Sequence, residues 1–297
     1  MLALWQAEHV AAALRQRHPG LTVELIPIST QGDRIQNRSL AAIGGKGLFV
    51  KELETALLEN RADAAVHSMK DVPSDLPSEL AIVAVLPRAD ARDVLVAPRA
   101  RTLEELPRGA RVGTSSLRRQ AQLLAARPDL VIRPLRGNVD TRLRKLEEGE
   151  LEAIVLAGAG LDRLGLSARI SGWLDMAVSL PAVGQGVIGI ECRRQDARTI
   201  AWVEVLEDAA TRVALEAERA FASRLQGSCQ SPIAAHARLD AGRLDLIGLV
   251  AEPDGSRVYR ERASDTPAAA VALGTRLAEQ VLAAGAAELL ERLRATG

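Results

Sequence analysis

Between Arg111 and Lys145 the chain passes twice from a short apolar run through a polar turn into a helical pattern, reading RVGTSSLRRQAQLLAARPDLVIRPLRGNVDTRLRK. A strand, turn and helix repeated in tandem belongs to the α/β class, with both turns brought to one sheet edge. In the first unit Val112 ends the apolar run and Gly113 allows a tight turn. Thr114, Ser115 and Ser116 then offer caps for a helix over 117–126. In the second, a strand over 130–135 leads through Arg136-Gly137-Asn138 into a helix carrying Arg142.

The same stretch holds nine Lys or Arg against two acids, Asp129 and Asp140, while the whole chain balances 38 basic against 38 acidic residues. Positive charge this local calls for a local partner. A helix start presents unpaired N–H groups and the positive end of the helix dipole. Arg118 and Arg119 add planar, permanently charged forks that match carboxylate or phosphate. Two such turns at one edge suit an extended polyanion. The turn-borne Arg118, Arg119 and Arg136 are therefore read as ligand contacts. Arg127, Arg144 and Lys145 are read as solvated ion pairs, each contributing about 0–1 kcal/mol.

At 297 residues the chain exceeds what one core organises, so two or three domains are expected. No apolar run reaches the roughly 20 residues that span a bilayer, and the amino terminus lacks a secretory pattern, so the cytoplasm is expected. Two cysteines make no disulfide framework, and no Cys or His pair has metal-ligand spacing. Free thiols and no metal are expected. Aromatic residues at 2% and zero net charge argue against a nucleic-acid partner.

Along the chain, a helix is predicted over 2–16 and a strand over 22–28. Gly44-Gly45-Lys46-Gly47 then feeds an amphipathic helix running to Asn60. The glycine loop is not a Walker loop, because Gly47 stands where Ser or Thr should follow Lys46; Lys46 is either an anion contact or part of a plain surface turn. A strand over 63–68 runs into His67-Ser68-Met69-Lys70-Asp71-Val72-Pro73, and Pro73 ends regular structure there. Lys70 and Asp71 thus sit at a strand's carboxyl end, the edge where open α/β sheets bind ligands. Asp71 reads as a structural cap or as a catalyst, and His67 as a packed, hydrogen-bonded residue.

A strand over 80–86 and a proline-marked crossing over 87–92 lead into the basic region. Beyond it come a strand over 153–156, a glycine-rich turn, a short helix carrying Arg163, a second crossing at 180–186 and a strand over 187–192. Two crossings between two α/β units make a hinge with a cleft between lobes. Cys192 lies on an apolar strand and reads as an inert buried thiol. A helix over 209–225, with Gly227 just past its end, precedes Ser228 and Cys229. Strands over 233–239, 244–250 and 258–262 and a final helix over 267–294 complete a third unit, a three-stranded sheet covered by a helix. A helix carboxyl terminus disfavours thiolate, so Cys229 is either a bystander or the attachment point for an electrophile strong enough to need no activated thiol.

The blocks HSMKDVPS at 67–74, GTSSLRRQ at 113–120, LRGNVDTRL at 135–143, LPAVGQG at 180–186 and GSCQSPI at 227–233 together resemble the porphobilinogen deaminase family, also called hydroxymethylbilane synthase. The resemblance covers essentially the whole chain. It implies two lobes like those of periplasmic binding proteins, residues 1–86 with 187–206 and residues 87–186, and a carboxyl-terminal α/β domain over 207–297. It implies a transferase of heme biosynthesis that condenses four porphobilinogen molecules head to tail, releasing ammonia, on a dipyrromethane cofactor, and then frees hydroxymethylbilane. The cofactor is expected on Cys229 through a thioether, with Asp71 as the catalytic residue. Lys46, Lys70, Thr114, Ser116, Arg118 and Arg119 match cofactor-binding positions, and Arg136, Arg142 and Arg163 substrate-binding ones. A monomer is expected.

Family members usually begin with a strand bearing an Arg-x-Ser pair ahead of the segment resembling Leu2-Ala3-Leu4-Trp5-Gln6. The first strand of the first lobe is therefore expected to be missing, through a misplaced start or in a truncated, inactive copy. A two-lobed carboxylate-binding module is the rival reading. It would use the lobes and the arginines but would leave Cys229 and the third unit without a role.

Overall fold

The computed structural model describes residues 1–30, 50–227 and 231–295. Lys46 and Cys229, with their loops, lie outside these residues. Three sheets, each with its own apolar core, organise the rest.

The first sheet contains β1 (Ala64–Ser68), β2 (Leu80–Val85) and β8 (Ile188–Arg193), in the order β1-β8-β2 with β8 antiparallel to both neighbours. Helices α1 (Leu2–Arg17) and α2 (Lys51–Leu58) belong to the same part of the chain. Val10 and Leu14 of α1 pack with Ala84, Ile188, Ile190 and Cys192. Cys192 is fully buried, and burial pushes its thiol up to about 12.

The alternation over 22–28 does not become a strand. Residues 21–30 form no ladder with any described residue, although Leu21 and Val23 pack against the same core. A strand exists only by sharing backbone hydrogen bonds with a neighbour. Here residues 21–30 and β1 both line a cavity of about 1050 Å³ that also touches α1 and reaches Asp71.

The second sheet contains β3 (Asp93–Val96), β4 (Arg111–Gly113), β5 (Val131–Arg133), β6 (Ala153–Ala157) and β7 (Gly172–Trp173), in the order β5-β4-β6-β3-β7. β4 runs parallel to β5 and β6, whereas β3 is antiparallel to β6 and β7. The tandem repeat predicted from sequence is thus two neighbouring parallel strands, each feeding a helix: α3 (Leu117–Ala126) and α4 (Val139–Glu147). Ser116 caps α3 by accepting from the Arg119 N–H, and Asn138 caps α4 by accepting from the Thr141 N–H. After β6 the glycines expected to form a turn already lie inside α5 (Gly158–Arg163).

A short helix, α6 (Ala197–Val203), precedes α7 (Ala209–Arg224), and the third sheet follows. It is an antiparallel meander, β9 (Ile233–Asp240), β10 (Arg243–Ala251) and β11 (Val258–Asp265), in the order β11-β10-β9. Phe221 of α7 and Leu273 and Leu277 of α8 (Ala270–Val281) fill its core. Two helices cover this sheet, where the sequence suggested one. The predicted final helix also breaks at Gly285, whose φ of 119° ends α8 before α9 (Ala287–Ala295). At the end of α7 the left-handed position is taken by Gln226, with φ 53°, and not by Gly227. Among the described residues no helix is long and apolar enough to cross a membrane.

Candidate active site

Asp71 sits where β1 ends. The chain turns through a single 3-10 turn, Met69–Asp71, and Val72 returns to extended backbone ahead of Pro73. Met69 is fully buried and anchors the turn, and its N–H donates to the Val187 carbonyl at 3.0 Å. Lys70 and Asp71 are left half-buried. Burial pushes the Asp71 carboxyl above its usual range, against the pull of the Lys70, Arg142 and His67 charges. Burial also lowers Lys70, and Asp71, Arg119, Arg142 and Asp93 all lie close enough to act on its charge. Lys70, Asp71, Arg119 and Arg142 therefore form one electrostatic cluster, although they come from both of the first two sheets.

Arg142 is a strongly perturbed cation there. Burial and the neighbouring Arg119 hold it down to about 10, with Asp71 pulling the other way. Its Nε donates to the Gly137 carbonyl at 2.7 Å, which fixes the stem across the turn that caps its own helix. Arg136, half-buried on that turn, adds its charge to Arg142.

Arg118 and Arg119 meet on one internal partner. Only 5% and 6% exposed, they share the carboxylate of Asp93, itself fully buried. Arg118 Nη1 lies 2.8 Å from Asp93 Oδ2 and Arg119 Nη2 lies 2.7 Å from Oδ1. Ser179 Oγ donates to Oδ2 at 2.7 Å and Gln185 Nε2 to Oδ1 at 2.9 Å. Burial alone would raise the Asp93 carboxyl; the two guanidinium groups outweigh it and hold the group far below the carboxylate range. One carboxylate cannot neutralise two guanidinium groups, so one positive charge remains. Arg119 Nε is buried without a hydrogen-bond partner.

Thr114 and Ser116 serve the same turn. Buried Thr114 donates its N–H to the Arg133 carbonyl at 2.9 Å, and its hydroxyl accepts from the Ser116 N–H at 3.2 Å. Ser115 ties the two strand-turn-helix units together: its Oγ accepts from the Leu135 N–H at 2.9 Å and donates to the Leu135 carbonyl at 3.1 Å. Arg163 stands apart from the Asp71 cluster. Its Nη2 donates to the Gly186 carbonyl at 2.7 Å, its guanidinium lies 5.9 Å from the Trp5 ring, and burial lowers it.

His67 is buried and its Nε2 lies 2.9 Å from Glu191 Oε2, the packed and hydrogen-bonded role read from sequence. Arg144 pairs with Glu148 at 3.7 Å as a solvated face does, whereas Arg127 is partly buried and, besides pairing with Asp129 at 2.8 Å, donates to the carbonyls of Leu103 and Leu106, so it is more than the solvated ion pair expected.

Sequence reasoning missed Asp93, Ser179, Gln185 and Glu218. Glu218 of α7 is fully buried and takes Arg88 at 2.5 Å, the Gly184 N–H at 2.7 Å and the Ala237 N–H at 2.7 Å. It thereby joins both crossings to the third sheet. The available signal was an acid bracketed by apolar helix positions, or, for Asp93, one heading the apolar run Val94-Leu95-Val96.

Known proteins resemble this chain over nearly all of its length. A family profile described as porphobilinogen deaminase, dipyromethane cofactor binding domain, matches residues 1–201, and a second, porphobilinogen deaminase, C-terminal domain, matches residues 213–283. A porphobilinogen deaminase from Syntrophotalea carbinolica is 55% identical over 295 residues, covering 99% of this chain and 94% of that one. Among solved structures, a methionine-binding protein aligns over 69% of this chain and 85% of its own at 16% identity and a TM-score of 0.45. A periplasmic substrate-binding protein of an ABC transporter from Coxiella burnetii covers 70% and 89% at 16% identity and a TM-score of 0.44. With two family profiles and a relative of this identity spanning nearly its whole length, the chain belongs to the porphobilinogen deaminase family.

Proposed function

We propose that this chain joins four porphobilinogen molecules head to tail, releasing ammonia at each addition, and frees the product as hydroxymethylbilane. The observation that carries this reading is one half-buried carboxylate, Asp71, set among Lys70, Arg119 and Arg142 in a member of this family. Residues 1–86 with 187–206 form the first lobe, 87–186 the second and 207–297 the third unit. The enzyme works as a cytoplasmic monomer, as its family resemblance implies.

The residues present fit an acidic oligopyrrole. Each pyrrole ring brings an acetate and a propionate, and the site offers an excess of cations, including the unpartnered Nε of Arg119. Dipyrromethane, held through a thioether to Cys229, supplies the pyrrole end on which the product grows. Lys46, Lys70, Thr114, Ser116, Arg118 and Arg119 hold its acid groups, and Arg136, Arg142 and Arg163 hold those of the incoming and added rings. Charge-assisted contacts of this kind contribute roughly 1.5–3 kcal/mol each.

Asp71 acts where charge develops. When the carbon–nitrogen bond of the protonated aminomethyl group breaks, ammonia leaves with the bonding electrons and a methylene-pyrrolenine cation remains. The Asp71 carboxylate accepts hydrogen bonds from pyrrole N–H groups and stabilises that cation. As the new carbon–carbon bond forms, Asp71 takes up the proton lost from the attacking pyrrole carbon. The Lys70 and Arg142 charges pull the Asp71 carboxyl down against the burial that raises it. Asp71→Ala should retain the acidic cofactor yet lose about a hundredfold or more in turnover, the usual scale for a positioned acid or base. Near-normal turnover in that variant would overturn the assignment.

A further inference from the structure

The carbonyls of Val72, Pro73 and Ser74, which directly follow Asp71, converge on one side chain from another part of the fold. Arg219 of α7 donates from Nη1 to the Val72 carbonyl at 3.2 Å, and from Nη2 to those of Pro73 at 2.7 Å and Ser74 at 3.1 Å. Pro73 has no N–H, so this segment cannot be held there by a backbone donor. Val72 is packed with Met69, Val187 and Leu215, but the packing stops at Ser74. A cavity of about 280 Å³ lies beside the loop, lined by Met69, Ser74, Leu215 and Arg219 among others.

The same face of α7 grips the first lobe elsewhere. Arg212, two turns earlier, donates to the carbonyls of Ile82 and Val83 at 3.3 and 3.1 Å. Glu218, adjacent in sequence, fixes both crossings. α7 ends at Arg224, so only about 7.5 Å of helix, at 1.5 Å per residue, separates Arg219 from the turn that leads to the Cys229 loop.

Resting on the reading of Asp71 as the catalytic carboxylate, we propose that Arg219 is a positioning residue: it fixes the Asp71 loop against the helix that carries the cofactor-bearing loop. A guanidinium is suited to this, because its planar fork reaches several acceptors at once, whereas an ammonium is a point charge. Loosening the loop swings Asp71 toward solvent without touching a substrate-binding group.

The test compares Arg219→Met and Arg219→Lys with the parent as the loaded enzyme, with kcat taken per mole of protein whose mass shows the cofactor. Arg219→Met should lose 10- to 100-fold in kcat with KM for porphobilinogen within twofold, and Arg219→Lys should fall between it and the parent. The acid limb of the pH–kcat profile should move to lower pH, because a better-solvated Asp71 regains an ordinary carboxylate pKa. In an Asp71→Asn background Arg219→Met should cost nothing further. The inference is overturned if Arg219→Met keeps kcat within twofold of the parent while Asp71→Asn is inactive. It is overturned equally if the kcat loss comes with an unmoved pH profile. If Asp71→Asn itself is near normal, the catalytic reading has failed, a result distinct from either of these.

Discussion

Replacing Asp93 with Asn tests how the second sheet is tied to its helices and to the crossing at 180–186. Asp93 is fully buried and receives Arg118, Arg119, Ser179 and Gln185, so it joins β3, α3 and the second crossing in one network. Asparagine keeps the shape and one carbonyl acceptor but removes the charge. It leaves two guanidinium groups, 5% and 6% exposed, without a counterion. Removing one partner of a buried pair costs about 3–5 kcal/mol, because the other charge is stranded in a poorly solvating interior. Against a total stability of about 5–15 kcal/mol, that is a large share. It corresponds to a fall in Tm of roughly 6–20 °C at 2–4 °C per kcal/mol. A chain of several units need not unfold in one step, so the reporter should belong to this sheet. Trp173 of β7, beneath the Arg92 guanidinium at 4.6 Å, serves once Trp5 and Trp202 are replaced by Phe. The deficit should be larger in the Cys229→Ser protein, where no acidic cofactor offsets the stranded charge. A loss below about 1 kcal/mol would refute this reasoning. The folded Asp93 carboxyl lies below its unfolded value. Its contribution is therefore complete above the ordinary carboxylate range, and is lost only as pH falls through the depressed folded value.

Asp71 carries the opposite sign. Its carboxyl is raised in the folded protein, so ionising it costs stability as pH rises past the ordinary carboxylate range. Asp71→Asn should therefore melt at a temperature equal to or higher than the parent at pH 7 while losing turnover, and a lower Tm would contradict the burial argument. The acid limb of the parent's activity profile should lie above the usual carboxylate range and be absent from the residual activity of that variant. Cys192, buried on β8 with its thiol pushed up to about 12, should resist a thiol reagent in the native Cys229→Ser protein and react fully in denaturant. Rapid native labelling would show the first sheet to be looser than described.

Much of this fold was legible wherever a local rule suffices. Helix α3 spans the predicted 117–126 because Ser116 caps it and its apolar residues recur at helical spacing. β1 was legible because its short apolar run stops against a turn that Pro73 closes. The misses have a common physical origin, which is that the deciding partner lies far along the chain. Residues 22–28 alternate as a strand does, but alternation supplies no neighbour, and no described residue pairs with them. β3 is only four residues long and sits behind a proline-marked crossing, so neither length nor period reveals it. The arginines illustrate this most clearly. Their charge and placement at a helix start were visible, but not that Arg118 and Arg119 share the Asp93 carboxylate, which compensates only one of the two charges. Arg142, placed next to Asp71 by two sheets meeting, needed no such partner, and the sequence-based reading of it as part of a cationic site stands as the proposal above.

The central claim is that a cationic cluster and one carboxylate serve an acidic oligopyrrole tethered to the loop sulfur. The intact mass of the purified protein tests it most directly. The account predicts a mass above that of the polypeptide by one dipyrromethane, located by peptide mapping at Cys229, absent from Cys229→Ser, and rising in porphobilinogen-unit steps when substrate is added. An unmodified polypeptide mass that porphobilinogen leaves unchanged would contradict it.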